Sequence, residues 1–340
     1  MAERLLEVRD LHVSFATEDG IVQAVGGVDF TLDRGQVLGI VGESGCGKSV
    51  TALTLLGLTR ATNASFEGEV LYKGRDILRL SDRELEDVRG NEIAMIFQDP
   101  MTSLNPVYRV GWQIVEMIRA HDPASTKQQA RRRALELLKE VGIPNAEERI
   151  DNYPHEFSGG MRQRAMIAMG LACRPEILVA DEPTTALDVT IQAQIIELLD
   201  RLKDEYDSAV VMITHDLGVV ATVADEILVM YAGRIVERGA KRDVFYDPQH
   251  PYTWGLLGSI PRLDRPKPKR LRAIPGAPPS LIRPPAGCRF APRCPHAFDR
   301  CVKEPALEQR VEKEGHLDRC WLPVDRKRAL RTGSLEGEAA

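Results

Sequence analysis

The octapeptide Gly42-Glu43-Ser44-Gly45-Cys46-Gly47-Lys48-Ser49 decides the fold of this chain, because it satisfies the pattern G-x-x-x-x-G-K-[ST]. The apolar run Val37 to Val41 precedes it and the apolar segment Thr51 to Leu58 follows it, which is the strand-loop-helix order that the pattern requires. Its glycines let successive backbone N–H groups turn toward phosphate oxygens, and the helix start adds a partial positive charge of roughly +0.5. We therefore predict a phosphate-binding loop, with Lys48 at the β and γ phosphates and Ser49 on Mg²⁺.

Polar side chains follow two further apolar runs at the point where each run ends. Ile177 to Ala180 is followed by Asp181 and Glu182, and Val210 to Thr214 is followed by His215. In parallel α/β folds the carboxyl ends of strands gather ligand chemistry. We assign Asp181 to the metal shell, Glu182 to polarising an attacking water, and His215 to a γ-phosphate oxygen.

Short apolar runs without polar alternation predict strands that are covered on both faces, as in a parallel core. Such runs occur at Val37 to Val41, Ile93 to Phe97, Ile177 to Ala180 and Val210 to Thr214. Segments that alternate more and contain Gly and Asp turns predict a peripheral antiparallel sheet. These are Leu5 to Phe15, Val22 to Leu32 and Gly68 to Tyr72.

The apolar spacing becomes helical between Asp99 and Pro175, which predicts an inserted helical subdomain at about 99–175. Within it, Phe157-Ser158-Gly159-Gly160-Met161 places Ser-Gly-Gly directly before a helix, so that this helix start is a second candidate anion site. Further elements are expected as helices at Lys127 to Val141, Met161 to Cys173 and Thr190 to Tyr206, and as a hairpin around Ala232-Gly233.

The composition is that of a soluble globular chain. Its 340 residues suggest about two domains. The net charge of −5 and the mean hydropathy of −0.23 do not show the overall basic character that is typical of nucleic-acid-binding proteins. The longest apolar run, Ala165 to Cys173, is far shorter than the roughly 20 residues that span a bilayer. No secretory signal is expected at the N-terminus, which predicts a cytosolic address. From the charge balance we expect no nucleic-acid partner.

The composition changes after Ile260, because ten of the 21 prolines fall between Pro261 and Pro295. Such a stretch cannot form a regular helix or a central strand. We interpret its six basic residues between Arg262 and Arg272 as part of a solvated linker, with contact to an anionic surface as the alternative.

Four of the six cysteines cluster near the C-terminus as Cys288-x₅-Cys294-x₆-Cys301-x₁₈-Cys320. The spacing lacks the paired C-x₂-C of common zinc ribbons, yet four thiolates can hold zinc or an iron–sulfur cluster. We expect His296 and His316 to be bystanders. Cys46, inside the glycine-rich loop, is interpreted as a small tolerated side chain, with a thiol activated by the helix start as the alternative.

The motifs together resemble the ATP-binding subunits of ABC transporters, whose signature is close to Leu-Ser-Gly-Gly-Gln and here is Phe-Ser-Gly-Gly-Met. Gln98 looks like the Q-loop glutamine, Ala186-Leu187-Asp188 like the D-loop, His215 like the switch histidine and Phe15 like the aromatic that stacks on adenine. The resemblance implies catalytic roles for Glu182, His215 and Gln98, and Mg²⁺ ligands in Ser49, Gln98 and Asp181. It implies ATP contacts from Phe15, Gly42, Ser44, Gly45, Cys46, Gly47, Lys48, Ser49, Val50, Gln98, Asp181, Ser158, Gly159, Gly160 and Asp188.

The fold that follows is α/β: a P-loop NTPase core of the RecA-like type with a peripheral antiparallel β-subdomain, an inserted helical subdomain and a small cysteine-rich C-terminal extension. In this family the signature of one subunit completes the phosphate site of another. We divide the chain into a nucleotide-binding domain at 1–260, a proline-rich basic linker at 261–287, a four-cysteine extension at 288–322 and a polar tail at 323–340.

The C-terminal segment Gly287-Cys-Arg-Phe-Ala-Pro-Arg-Cys-Pro295 looks like that of oligopeptide/dipeptide importer ATPases, which His250-Pro251-Tyr252-Thr253 and Ser103-Leu104-Asn105-Pro106 also resemble. That resemblance implies a [4Fe–4S] cluster on Cys288, Cys294, Cys301 and Cys320, with zinc as the alternative that spacing leaves open. It also implies a peripheral place at the cytoplasmic face of the membrane.

The implied partners are a second related ATPase, two permeases and an extracytoplasmic peptide-binding protein. Alternatives are a non-transport ABC ATPase of translation or DNA maintenance, an importer ATPase for another cargo such as nickel, and a subunit that binds ATP without hydrolysing it.

Overall fold

The chain folds into two compact units that interleave along the sequence. The computed structural model describes residues 3–185, 187–259 and 274–336, with side chains through residue 331. The described residues of unit 1 fall within 3–6, 32–36 and 72–213, and those of unit 2 within 7–31, 37–71 and 214–336. Ala186 of the D-loop and the basic run from Arg262 to Arg272 lie outside the described residues.

The strands, in chain order, are β1 (Arg4–Thr17), β2 (Gly20–Asp33), β3 (Val37–Val41), β4 (Ala64–Tyr72), β5 (Arg75–Asp76), β6 (Ile93–Ile96), β7 (Ile177–Asp181), β8 (Ala209–Thr214), β9 (Glu226–Tyr231), β10 (Arg234–Ala240), β11 (Glu308–Gln309) and β12 (Leu317–Asp318). The α-helices are α1 (Lys48–Leu55), α2 (Asp82–Val88), α3 (Pro100–Ser103), α4 (Val110–His121), α5 (Lys127–Glu140), α6 (Ala146–Arg149), α7 (Gly159–Gly170), α8 (Val189–Tyr206), α9 (Leu217–Val223), α10 (Lys241–Tyr246), α11 (Pro251–Gly258) and α12 (Val324–Glu336).

Unit 1 contains a parallel sheet in which β7 lies between β6 and β8. The register pairs Ile93 with Ile177 and Ile177 with Ala209. Every residue of these three strands is buried, which explains their continuous apolar sequence. The predicted parallel strands are confirmed here, with ends that shift by one residue. As a result, Asp181 is the last residue of a buried strand.

The helices of unit 1 follow the predicted apolar periodicity. Helix α5 begins with a capping box, in which Thr126 accepts from the Gln129 N–H and the Gln129 side chain accepts from the Thr126 N–H. Ala130, Ala134, Leu137 and Leu138 are buried along one face, as expected for Lys127 to Val141, although the helix ends at Glu140. The predicted helix at Met161 to Cys173 begins two residues earlier, as α7.

Unit 2 contains the sheet that carries the glycine-rich loop. Strand β3 pairs in parallel with β9, and β9 forms the predicted antiparallel hairpin with β10 around Ala232-Gly233. Strands β2, β1 and β4 are neighbours, in that order, in a second sheet, and the β1–β2 hairpin corresponds to the predicted peripheral sheet. The α/β fold class is therefore confirmed.

The C-terminal residues take part in the sheet of unit 2. Strand β12 pairs antiparallel with β10, with Asp318 opposite Glu237, and β11 pairs with β12. Helix α12 lies within the predicted polar tail, and the buried Lys327 donates to Asp318 Oδ1 at 2.6 Å. The sequence did not indicate these elements. Among the described residues, none of the helices has both the length and the apolar character needed to span a lipid bilayer.

Candidate functional site

The glycine-rich loop in unit 2 joins β3 to α1 and leaves the helix start without a side-chain cap. The N-cap residue is Gly47, at φ 103°, a conformation that favours glycine. A Cβ atom at Gly47 would lie 2.4 Å from the Ala24 carbonyl oxygen, and one at Gly42 would lie 2.2 Å from that of Met230. The loop is thus pressed against neighbouring backbone on one side, while Ser44 and Gly45 are exposed.

Lys48 extends across the loop that precedes it. The residue is only 4% exposed, and Nζ donates to the carbonyl oxygens of Gly42 at 2.7 Å and of Glu43 at 3.1 Å. Ser49 and Val50 follow in the first turn of α1, both half-buried. An uncapped helix start beside a buried ammonium group is an arrangement that attracts a multiply charged anion.

Cys46 fits the interpretation as a small buried side chain in the loop. Burial raises the pKa of the Cys46 thiol, although Lys48 lies nearby and opposes the shift. The raised pKa argues against the alternative of an activated thiolate. The Cys46 carbonyl oxygen accepts from the Gly233 N–H at 2.8 Å, which ties the loop to the β9–β10 turn.

In unit 1 two carboxylates stand at the end of β7, in different surroundings. Asp181 is 5% exposed. Glu182 has a backbone φ of 48°, unusual for a residue with a side chain, and its N–H donates to the Ile213 carbonyl oxygen at 2.8 Å. Its Oε2 accepts from Gln98 Nε2 at 3.0 Å and from Thr185 Oγ1 at 2.8 Å. The structure thus brings Gln98 and Glu182 together, and two donors fix a carboxylate that can accept a proton from water.

The signature segment forms the exposed start of α7 in unit 1. Ser158 is the N-cap, and its Oγ accepts from the Met161 N–H at 3.3 Å. Ser158 and Gly159 are exposed, Gly160 is half-buried and Phe157 is buried. The predicted helix start with Ser-Gly-Gly is therefore present.

Asp188 of the D-loop caps the helix that follows it, α8. Its Oδ1 accepts from the N–H groups of Thr190 at 3.1 Å and Ile191 at 3.0 Å, which makes it the N-cap of α8. Leu187 beside it is half-buried. In this structure, then, Asp188 stabilises a helix start, which sequence reasoning had not assigned to it.

The remaining predicted residues lie in unit 2. His215 follows β8 directly and is exposed, while the next residue, Asp216, caps α9 by accepting from the Gly218 N–H at 2.7 Å. Phe15 is half-buried near the end of β1. Of the three predicted Mg²⁺ ligands, Ser49 belongs to unit 2, whereas Gln98 and Asp181 belong to unit 1.

The four C-terminal cysteines line one cavity of about 10 Å³. Burial raises the pKa of Cys294 to about 11 and that of Cys320 to about 12. Within residues 3–185, 187–259 and 274–336, no three His, Cys, Asp or Glu side chains converge as ligands of a single ion. His296 lines the same cavity. His316 instead contacts a carboxylate, with its Nε2 atom 2.9 Å from Glu237 Oε1.

Sequence reasoning missed a contact between the glycine-rich loop and the C-terminal residues. Arg293 binds the carboxylate of Glu43 through two nitrogens, at 2.6 and 3.0 Å. The only signal in the sequence is a charged residue at a variable position of the loop, which does not identify a partner 250 residues away.

Comparisons with known proteins agree with these features. The profile of the ABC transporter family matches residues 25–185, and that of the oligopeptide/dipeptide transporter C-terminal region matches residues 236–301. The oligopeptide transport ATP-binding protein OppD of Salmonella typhimurium is 56% identical over 324 residues, which cover 95% of each chain. The dipeptide transport ATP-binding protein DppD of Bacillus subtilis is 53% identical over 325 residues, which cover 95% of this chain and 96% of that one.

Among solved structures, a dimeric ATP-binding cassette in a post-hydrolysis state with ADP and phosphate has a TM-score of 0.63 and 28% identity, covering 70% of this chain and 99% of that one. Its similarity extends over the P-loop NTPase fold with its antiparallel β-subdomain and helical region. This chain therefore belongs to the ABC transporter family, as an ATP-hydrolysing ATP-binding subunit of the oligopeptide/dipeptide importer group.

Proposed function

We propose that this ABC ATPase drives the uptake of oligopeptides or dipeptides from the cytoplasmic face of the cell membrane. The observation that carries the proposal is the 56% identity with an oligopeptide transport ATP-binding protein over 95% of both chains, which includes the C-terminal region. The partners would be two permeases, an extracytoplasmic peptide-binding protein and a second, related ATPase. A non-transport role lacks such support, and nickel import would use the same motor residues with other partners.

We assign the chemistry to the residues of the two units as follows. The loop N–H groups and Lys48 bind the phosphates, and Phe15 stacks on adenine. Ser49, Gln98 and Asp181 offer hydroxyl, amide and carboxylate oxygens, a donor set that suits Mg²⁺. When bound, Mg²⁺ neutralises charge on the phosphates.

The attacking water is activated by the residues that follow β7 and β8. Glu182 accepts a proton from it, while Gln98 and Thr185 keep the carboxylate in place through the hydrogen bonds described above. His215 donates to a γ-phosphate oxygen. This assignment predicts a functional hydrolytic site rather than one that only binds ATP.

The signature at the start of α7 would serve the nucleotide of a second cassette. Ser158, Gly159 and Gly160 present a helix start that its own serine caps at only one N–H, that of Met161. Two ATP molecules would then lie between two cassettes, and loss of the γ phosphate would remove charge from that interface. The similar solved cassette is dimeric, which supports the proposal.

We propose the same division into domains that the sequence predicted. The nucleotide-binding domain spans 1–260, with a helical insert at about 99–175 for contact with the permeases. The linker at 261–287 leads to the four-cysteine extension at 288–322 and the polar tail at 323–340.

We also propose that Cys288, Cys294, Cys301 and Cys320 hold a [4Fe–4S] cluster with a structural role. Support comes from the shared cavity that the four side chains line. Four thiolates can ligate a cluster, which offers a separate iron to each sulfur, or a zinc ion, which needs four sulfurs about 2.3 Å from it. Anaerobic purification with iron, sulfide and zinc analysis tests this: iron and sulfide support the cluster, and zinc alone supports the alternative.

The transport function is tested by co-purification and reconstitution. The full chain, tagged and expressed in its native cell, should co-purify with two permeases and a second ATPase from membranes. In proteoliposomes, this complex should accumulate a labelled peptide only when ATP and the binding protein are supplied. Isolation with ribosomes or DNA, or ATP turnover at the full rate by the dilute monomer, would contradict the proposal.

A further inference from the structure

The glycine-rich loop carries an acidic side chain close to the groups that attract phosphate. Glu43 is the second residue of the loop, and its own carbonyl oxygen accepts from Lys48 Nζ at 3.1 Å. An unpaired carboxylate at this position would compete with an incoming anion for Lys48 and for the loop N–H groups, and would repel phosphate. Pairing the Glu43 carboxylate with a cation removes this competition.

Arg293 supplies that cation through a two-point contact. Its Nη1 lies 2.6 Å from Glu43 Oε2 and its Nη2 lies 3.0 Å from Oε1, the paired geometry that gives arginine–carboxylate contacts their strength. The Arg293 side chain is 4% exposed and that of Glu43 is 29% exposed. The contact is thus shielded from water on the arginine side.

The guanidinium group of Arg293 is fixed by further contacts. Nε donates to the Pro275 carbonyl oxygen at 2.9 Å, and Nη2 donates to that of Ile274 at 3.2 Å. The group also lies 5.7 Å from the ring centroid of Tyr231. Because its nitrogens are held by backbone and its face by an aromatic ring, Arg293 meets Glu43 in one defined orientation.

A second contact holds the backbone of the same loop residue. The Glu43 N–H donates to Tyr252 Oη at 2.8 Å, and the ring of Tyr252 packs against Tyr231 and Phe290, with centroids 4.6 and 5.4 Å apart. Both the side chain and the amide of Glu43 are therefore bound by residues C-terminal to the hairpin.

Two arginines that support the loop lie between two of the clustered cysteines. Arg293 directly precedes Cys294, and Arg289 directly follows Cys288. Arg289 donates to the carbonyl oxygen of Ala232, and the next N–H along the chain, that of Gly233, donates to Cys46 O. The cysteine-bearing segment thus reaches the loop directly at Glu43 and through the hairpin turn at Cys46.

We propose that Arg293 is a positioning residue for nucleotide binding, which pairs with Glu43 and keeps its carboxylate away from the phosphates. The C-terminal extension thereby sets the affinity of the cassette for ATP. This inference rests on the assignment of residues 42–49 to phosphate binding. The penalty of losing Arg293 should grow with the number of phosphates on the ligand, which separates charge control from a merely structural role.

The test measures the affinity of the purified full chain for trinitrophenyl-labelled ATP and AMP. Arg293→Met should weaken ATP binding by about tenfold and AMP binding by less than about threefold. Adding Glu43→Gln to Arg293→Met should restore ATP affinity to within about threefold of the wild type, since the competing carboxylate is gone. Arg300→Met is the matched control, because Arg300 belongs to the same extension but stacks on Trp321 instead, 3.9 Å from its ring centroid.

Several results would overturn the inference. Unchanged ATP affinity in Arg293→Met, an equal loss for ATP and AMP, or failure of Glu43→Gln to restore binding would each do so. Lys48→Ala tests the loop assignment separately: if it leaves ATP affinity intact, the loop does not bind phosphate. Should Arg293→Met fail to fold, Arg293→Lys keeps the charge but not the paired contact, and should weaken ATP binding by about threefold.

Discussion

The helix starts of α1 in unit 2 and α7 in unit 1 are both proposed to receive an anion, yet they are supported in different ways. Helix α1 has no side-chain cap, and its loop is fixed by Arg293 and Tyr252, more than 200 residues along the chain. Helix α7 is capped three residues away by its own Ser158. The first site depends on long-range contacts, whereas the second is formed by its own segment.

Buried and exposed surroundings accompany this difference. Lys48 beside the start of α1 is 4% exposed, while Ser158 and Gly159 are open to solvent. The buried ammonium group of Lys48 favours tight binding of a nucleotide by this chain. The exposed start of α7 is accessible to a nucleotide that is bound to a second chain. Substitutions in unit 1 should therefore affect turnover more than the affinity of this chain for its own nucleotide.

The largest expected effect comes from Glu182→Gln in unit 1. The amide retains the shape of the side chain and can accept the hydrogen bonds from Gln98 and Thr185, but it cannot take a proton. We expect ATP hydrolysis by the assembled complex to fall by roughly 10² to 10⁴ while ATP affinity stays the same. Near wild-type turnover would show that Glu182 is not the base.

A smaller effect is expected at the start of α7, where two substitutions separate capping from ligand contact. Ser158→Asp keeps a capping oxygen but adds negative charge, so that stability should be unchanged while hydrolysis by the complex falls at least about tenfold. Ser158→Ala removes the cap and should lower the free energy of unfolding by about 1 kcal/mol. Thermal unfolding and steady-state ATPase assays measure both, and full activity of Ser158→Asp would contradict contact with phosphate.

The smallest effect concerns acid stability in unit 1. Burial of Glu176 opposes its ionisation, but hydrogen bonds from Lys73, Tyr72 and Arg34 outweigh this and lower its pKa to about 2. Glu176 therefore stabilises the fold above pH 4.5, its ordinary pKa, and this contribution is lost progressively as the pH falls toward 2.

Glu176→Gln should flatten that acid dependence by about 1 kcal/mol or less, because the group is partly exposed to water. Chemical denaturation at a series of pH values between neutrality and acid measures the effect. Glu147→Gln is the matched control, since Glu147 pairs with Lys139 at the surface. An unchanged slope in Glu176→Gln would show that these hydrogen bonds contribute no net stability.

The sequence predicted the elements whose signals are local. Val37 to Val41 forms β3, and the segment predicted as a helix at Lys127 to Val141 forms α5. Both were predictable because the periodicity of strands and helices depends on residues close together in the sequence. The cap of α7 at Ser158 also lies within a few residues of its partner, the Met161 N–H.

Other features could not be predicted in this way. Strand β12 has only two residues and owes its existence to pairing with β10, and the predicted polar tail contains a helix anchored by the buried pair Lys327 and Asp318. The sequence assigned Asp188 to the nucleotide site and did not predict that its carboxylate also caps α8. Short elements of this kind carry no periodic pattern, since distant partners stabilise them.

The amino-acid sequence by itself determined the phosphate-binding loop, the carboxylates after β7 and the signature at α7, because each is a short run whose chemistry depends on adjacent residues. Only the tertiary structure decided how the loop is supported, with Arg293 and Tyr252 at Glu43. The physical reason is that an ion pair needs two groups within a few ångströms of each other, and folding can bring them there from any separation along the chain.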